Sequence, residues 1–162
     1  MVEDESFDRG RDRSQPNAGR QQLMAACSLA TETELSNAID SCSEAADAVD
    51  VRPPETGLVM IRGRVGGDGA AFNAGEVTVT RAAVRLATGT HGFSYMLGRS
   101  TERARQSAII DAVGQLSAAH MERLHKEFVA PVTKRTEAAK QAQRAETAAT
   151  QVDFFTLVRG DE

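Results

Sequence analysis

Five arginines recur through the middle of this 162-residue chain: Arg62, Arg64, Arg81, Arg85 and Arg99. A guanidinium is a planar fork of donors, suited to bidentate contact with phosphate or carboxylate. Between the first two arginines and the rest lies a loop holding Gly66, Gly67, Asp68 and Gly69. Its backbone amides could cradle an anion. It is not a P-loop, because no Gly-Lys-Ser/Thr follows and the next run is strand-like. Glu55, followed by Thr56, stands between a proline pair and a glycine at a strand entrance. A carboxylate there suits general acid–base work or a structural hydrogen bond. The plainer reading stays open for all of them: a hairpin loop, and a row of solvated or partner-facing arginines.

The other reactive residue types offer less. His120 and His125 are five apart, so on a helix they do not face one metal ion. His91 falls at a turn with no obvious Ser, Cys or carboxylate partner. Cys27 and Cys42 lack CxxC spacing and read as buried, reduced thiols. No nucleophile–base pair, metal set or cofactor motif stands out. The residues alone reach a small α+β binding or scaffold domain.

Three β-like runs must position the arginines, over residues 58–65, 76–86 and 92–99. Thr88-Gly89-Thr90 marks a short turn between the last two. In the second run the apolar face switches near Arg81-Ala82-Ala83, which predicts a bulge or strong twist. In the third, Phe93, Tyr95 and Leu97 face together. Residues 152–158, VDFFTLV, are apolar on both faces and read as a buried fourth strand.

Helices flank this core. Residues 20–30 place Leu23, Met24, Cys27 and Ala30 on one face. Thr31 or Thr33 caps a second helix with Leu35, Ala38, Ile39 and Cys42, fading toward Asp50. Arg52-Pro53-Pro54 then reads as a linker. Ser100 or Thr101 caps a long helix with the stripe Ile109, Val113, Leu116, His120 and Leu124, interrupted by Gly114. Pro131 breaks or restarts it, and an alanine-rich last helix follows over 132–150. The expected fold class is α+β: a small, mostly antiparallel sheet of about four strands, packed with N- and C-terminal helices. The expected organisation is a disordered segment, 1–18, and one domain, 19–162.

The net charge of −4 hides an asymmetry: −7 over residues 1–51, +4 over 52–105 and −1 over 106–162. Positive charge therefore collects on the sheet, which suits an anionic ligand or an acidic partner surface. Aromatics are 4% of the chain and no long basic run exists, which argues against nucleic acid. No apolar run approaches a membrane span, and the N-terminus has no apolar core of a signal peptide. The expected location is cytoplasmic, with no membrane partner. Large apolar residues are few, so the self-contained core should be modest.

Two blocks carry a resemblance. One holds Glu55-Thr56-Gly57-Leu58, Gly66-Gly67-Asp68-Gly69, Phe72, Gly75, Thr78, Thr80-Arg81-Ala82-Ala83-Val84-Arg85-Leu86, Gly92, Gly98-Arg99 and Asp111-Ala112. The other is the terminal Val152-Asp153-Phe154-Phe155-Thr156-Leu157-Val158-Arg159-Gly160-Asp161. Together, across about residues 20–161, the chain resembles the PhnG family of the bacterial carbon–phosphorus lyase system. Ser100 stands where an acidic residue is expected, and Gly114 replaces a better helix former.

The resemblance implies an accessory subunit that acts with PhnH, PhnI and PhnL. Their product is α-D-ribose 1-methylphosphonate 5-triphosphate, made from ATP and methylphosphonate with release of adenine. It also implies a core assembly with PhnH, PhnI and PhnJ. The nucleosidase-type step belongs to PhnI; the iron–sulfur cluster and S-adenosylmethionine belong to PhnJ. This chain would hold no cofactor, ATP being a substrate of the complex, and would be inactive alone. No catalytic residue carries over. The alternative is a stand-alone phosphate- or nucleotide-binding module using the loop at residues 66–69.

Overall fold

The computed structural model describes residues 17–66 and 69–150. Two helices open it, α1 (Ala18–Leu29) and α2 (Glu32–Asp40), followed by a 3₁₀ turn at Ser43–Ala45. Three strands come next, β1 (Val49–Arg64), β2 (Ala71–Arg85) and β3 (His91–Leu97). Helices α3 (Thr101–Gly114), α4 (Ala118–Leu124) and α5 (Ala130–Ala149) complete it, with a wide π turn, His125–Val129, joining the last two. The class is α+β as expected, with three antiparallel strands in the order β1-β2-β3 among the described residues. The expected strand at 152–158 and nearly all of the expected disordered segment lie outside the described residues.

Local chemistry sets the boundaries. Thr31, not Thr33, caps α2, and it does so in a capping box. Its hydroxyl accepts from the Glu34 amide (3.2 Å), while the Glu34 carboxylate accepts from the Thr31 amide (2.8 Å). This helix stops at Asp40 rather than fading toward Asp50, so Cys42 lies beyond it. Ser100 caps α3 by accepting from the Arg103 amide (3.2 Å). The long apolar stripe is divided between two helices, because Ser117 starts a new N-cap after Gly114. Pro131 falls in the first turn of α5, where its missing N–H breaks no ladder bond, and the preceding π turn keeps the chain helical.

The proline pair is the main correction to the expected strands. Pro53 and Pro54 lie inside β1, not in a linker. They are tolerated because β1 is an edge strand and because its register slips there. Arg52 is opposite Ala83 and Glu55 is opposite Arg81, so β1 carries the extra residue. The irregularity expected at Arg81-Ala82-Ala83 is therefore a bulge in the facing strand, and the β2–β3 register is unbroken.

The sheet's inner face lies on α3, and α1 and α2 pack on the far side of that helix. Leu23, Leu35, Val84, Leu86, Ile110 and Val113 form the fully buried centre. Helix and sheet approach closely because their contact residues are small. A Cβ on Gly92 would sit 2.0 Å from the Ala108 carbonyl oxygen. Ser94 Oγ donates to the Ala104 carbonyl at 2.6 Å. Cys27 and Cys42 are buried and free. Among the described residues no helix is long and apolar enough to cross a membrane.

Candidate functional site

Strand alternation gives β2 and β3 a second face, turned away from α3. Val79, Arg81, Ala83 and Arg85 occupy it on β2, and Phe93, Tyr95 and Leu97 on β3. The three β3 residues face together as their spacing predicts, and they are 54%, 57% and 73% exposed. An aromatic–aliphatic ridge left in water on a sheet face marks an interaction surface more often than chance exposure. A groove of about 1020 Å³ crosses this face from Val51 and Arg52, past Arg81, to Phe93 and Tyr95.

The charges on it are incompletely matched. Arg81 donates through Nε and Nη2 to Glu55 Oε1, each at 2.6 Å. Arg52 Nη1 approaches the same oxygen at 3.6 Å. Two guanidiniums thus share one carboxylate, which leaves one positive charge in excess. Both partners of the short pair are about half exposed, so the pair adds little to stability, on the order of 0–1 kcal/mol. Its use is to hold Arg81 upright beside the ridge.

Past residue 78, β2 pairs with β3, but residues 71–78 pair with β1 alone. The result is a two-stranded ribbon whose Leu58, Met60, Ile61 and Phe72 are exposed. An isolated ribbon of this kind is marginal in water and gains from being covered.

The expected site residues scatter over these features. Glu55 and Arg81 meet on the outer face. Thr56 turns inward, where its hydroxyl pairs with Thr80 Oγ1 at 3.1 Å. Arg85 closes β2 opposite Val49 and His91. Arg62 and Arg64 stand on the ribbon, where Arg64 Nη1 donates to the Gly69 carbonyl at 3.3 Å. Arg99 follows β3. The loop's glycines have structural reasons: Gly66 has a φ of +65°, and a Cβ on Gly69 would lie 2.6 Å from the Val65 carbonyl oxygen. Gly67 and Asp68 lie outside the described residues.

Sequence reasoning missed one node. Asp111, fully buried, accepts from Arg20 Nε (2.7 Å), Arg20 Nη2 (2.8 Å) and the Phe93 amide (2.9 Å). Gln115 Nε2 adds a contact at 3.2 Å and also donates to the His91 carbonyl at 3.0 Å. The hydrogen bond to Asp111 holds the Arg20 guanidinium firmly protonated. Together they bind the open edge of β3 and fix α1 against it. The available signal was a lone acid inside the apolar run Ile109-Ile110-Asp111-Ala112-Val113.

Two other constellations have structural uses. Ser117 Oγ lies 2.7 Å from His120 Nδ1, and His120 Nε2 lies 3.1 Å from Glu44 Oε1. The order resembles a hydrolytic triad, yet Ser117 is the α4 N-cap, and the set ties that helix to the 3₁₀ turn. Burial pushes the Cys27 thiol up to about 12, which removes it as a nucleophile. Among the described residues no three His, Cys, Asp or Glu side chains cluster as a metal site would require.

Comparison with known proteins fits this picture. Residues 18–160 match the family described as phosphonate metabolism protein PhnG. The chain is 48% identical over 148 residues to the α-D-ribose 1-methylphosphonate 5-triphosphate synthase subunit PhnG of Rhizobium meliloti (strain 1021). That match covers 90% of this chain and 92% of the relative. A family model over most of its length and a relative of this identity and coverage agree, and the chain belongs to the PhnG family.

Proposed function

We propose that this chain is the PhnG subunit of a cytoplasmic α-D-ribose 1-methylphosphonate 5-triphosphate synthase in organic phosphonate catabolism. It acts there as an obligate accessory subunit, with its outer sheet face and ribbon docked on other chains. The partners are PhnH, PhnI and PhnL, with PhnJ joining the core assembly. ATP and methylphosphonate are substrates of the complex. The iron–sulfur cluster and S-adenosylmethionine belong to PhnJ, and this chain holds no cofactor.

One observation carries the reading: the large apolar side chains Phe93, Tyr95 and Leu97 of β3 point into water rather than into the core. Covering such surface contributes roughly 25 cal/mol per Å², offset by the cost of association. Flat, half-paired guanidiniums beside aromatic anchors are a common interface composition.

The test is adenine release from ATP and methylphosphonate. The purified chain should give none, and activity should appear when PhnH, PhnI and PhnL are added. Turnover by the chain alone, with contaminating partners excluded, overturns the reading. Calorimetric titration with ATP then examines the loop at residues 66–69, where tight binding by the isolated chain would favour a stand-alone nucleotide-binding module.

A further inference from the structure

Three guanidiniums line the outer groove, those of Arg20, Arg52 and Arg81, and two carboxylates answer them. Arg20 meets Asp111 through Nε and Nη2, which leaves Nη1 for an incoming acceptor. Arg52 and Arg81 converge on one oxygen of Glu55, and Arg52, at 3.6 Å, falls short of a hydrogen bond to it. The register slip at the proline pair produces this crowding. It sets Arg52 opposite Ala83, beside the row in which Glu55, Arg81 and Tyr95 are neighbours across the strands. Ala83 lies between Arg52 and Phe93, and its small side chain floors a hollow there. We propose that this hollow receives an acidic peptide segment of a partner subunit, in which an apolar side chain stands next to a carboxylate. The apolar side chain rests over Ala83 against Phe93 and Tyr95, and the carboxylate binds Arg52. The inference rests on the docking reading of the outer face and adds the chemistry of its occupant.

Charge and spacing favour this occupant. Three cations on two anions leave one positive charge in the groove, and residues 52–105 as a whole carry +4. Such a field steers an acidic segment inward and turns a basic one away. Adjacent strands lie about 5 Å apart, so neighbouring side chains of one peptide reach both Arg52 and the hollow over Ala83. A second copy is a poorer occupant, because it would set the same arginines against each other. A phosphate is poorer too. It calls for several free guanidiniums turned on one point, whereas Arg81 and most of Arg20 are already engaged.

The chain has one tyrosine, Tyr95, and no tryptophan, so its own emission reports on the groove. The full chain is titrated with three end-blocked peptides: Glu-Leu-Asp-Leu-Glu, the basic Lys-Leu-Lys-Leu-Lys, and Glu-Gly-Asp-Gly-Glu. The first should change Tyr95 emission and saturate at millimolar concentration, and the other two should bind at least roughly tenfold more weakly. Arg52→Gln should weaken the first peptide about fivefold, the scale of an exposed ion pair. Glu55→Gln frees both arginines and should tighten it by a similar factor, while the thermal midpoints of both variants stay close to that of the parent chain. Opposite signs at these two positions are what a merely structural pair would not give. Equal binding of the acidic and basic peptides overturns the proposal, and so does weaker binding in Glu55→Gln. Tighter binding of tripolyphosphate than of the acidic peptide overturns it in favour of a phosphate site. A change in emission with protein concentration alone would make a second copy the occupant. Assembly with co-expressed PhnH and PhnI is read separately. If Tyr95→Ser leaves assembly unchanged, the docking reading fails, while the acid preference of the groove is still decided by the titrations of the free chain.

Discussion

The two faces of one three-stranded sheet are built on opposite rules. On the inner face small β3 residues let α3 approach beside the buried Val84, Leu86 and Met96: Gly92 leaves no room for a Cβ against Ala108, and Ser94 bonds the backbone of α3. Ser107 Oγ reaches Met96 Sδ at 3.1 Å in the same layer. On the outer face Phe93, Tyr95 and Leu97 are large and open to water. The inner face thus joins a buried apolar core with close backbone approach and buried hydrogen bonds, while large apolar side chains of the outer face stay open to water. Substitutions on the inner face should therefore be felt in folding, and those on the outer face in assembly.

The sharpest way to break this contrast is Asp111→Ala. It removes a fully buried carboxylate from the Phe93 amide and from Arg20, whose 37% exposed side chain can turn to water, so the loss is about 2–3 kcal/mol. Urea denaturation should show a lower midpoint with an unchanged slope. Gly92→Ala should also destabilise, by about 1–3 kcal/mol or more, because neither backbone can retreat. Inner-face variants that unfold no earlier than the wild-type chain would show that α3 is not the foundation of the sheet.

Tyr95→Ser is the matching test on the other side. Its effect on unfolding should stay within about 0.5 kcal/mol, as for ordinary surface changes. Its effect on association with partner subunits should reach about 2 kcal/mol, roughly thirtyfold in Kd, the scale of a buried aromatic anchor. Arg81→Gln should weaken association by about 1 kcal/mol, more at low salt than at high salt. Arg85→Gln should matter less, since Arg85 closes the strand away from the groove lining. Equal losses for the two arginines would mean that the interface runs to the end of β2. Growth on methylphosphonate of a deletion strain carrying each variant gives the same ranking in the cell.

The contrast was partly legible in the residues. Period-two alternation placed Phe93, Tyr95 and Leu97 on one face of the third strand, and the sheet bears this out. What alternation could not say is which face would be covered, because both carry apolar residues. The prolines at 53 and 54 hid the first half of β1, since their veto holds for central strands and this strand is an edge. The continuous stripe from Ile109 to Leu124 concealed a helix boundary, because Ser117 acts as a cap without interrupting the apolar spacing. Among the expected site residues, Glu55 and Arg81 meet through strand register, a relation between residues 26 apart that no local pattern encodes. Asp111 was overlooked for the same reason: its partners come from α1 and β3.

The smallest effect concerns the helices beneath the inner face and is read from pH. Arg135 binds Glu34 through Nε to Oε1 (2.8 Å) and Nη2 to Oε2 (3.0 Å), joining α5 to α2. This contact, followed by the Thr31 amide, holds the Glu34 carboxyl below its usual value of 4.5. A carboxyl whose value is lower when folded than when unfolded adds stability that is complete above the unfolded value. That contribution fades as pH falls through the folded value. The pair is partly exposed, so it is worth about 0.5 kcal/mol. Arg135→Met should therefore lower Tm by a constant amount between pH 6 and 8, with the gap to the wild-type chain narrowing below about pH 4. Arg135 Nη2 also donates to the Leu29 carbonyl at 2.9 Å, a contact indifferent to carboxylate protonation. A gap that stays open at acid pH would assign the stabilisation to that cap on α1, and would take Glu34 out of the forces that keep the inner layer closed.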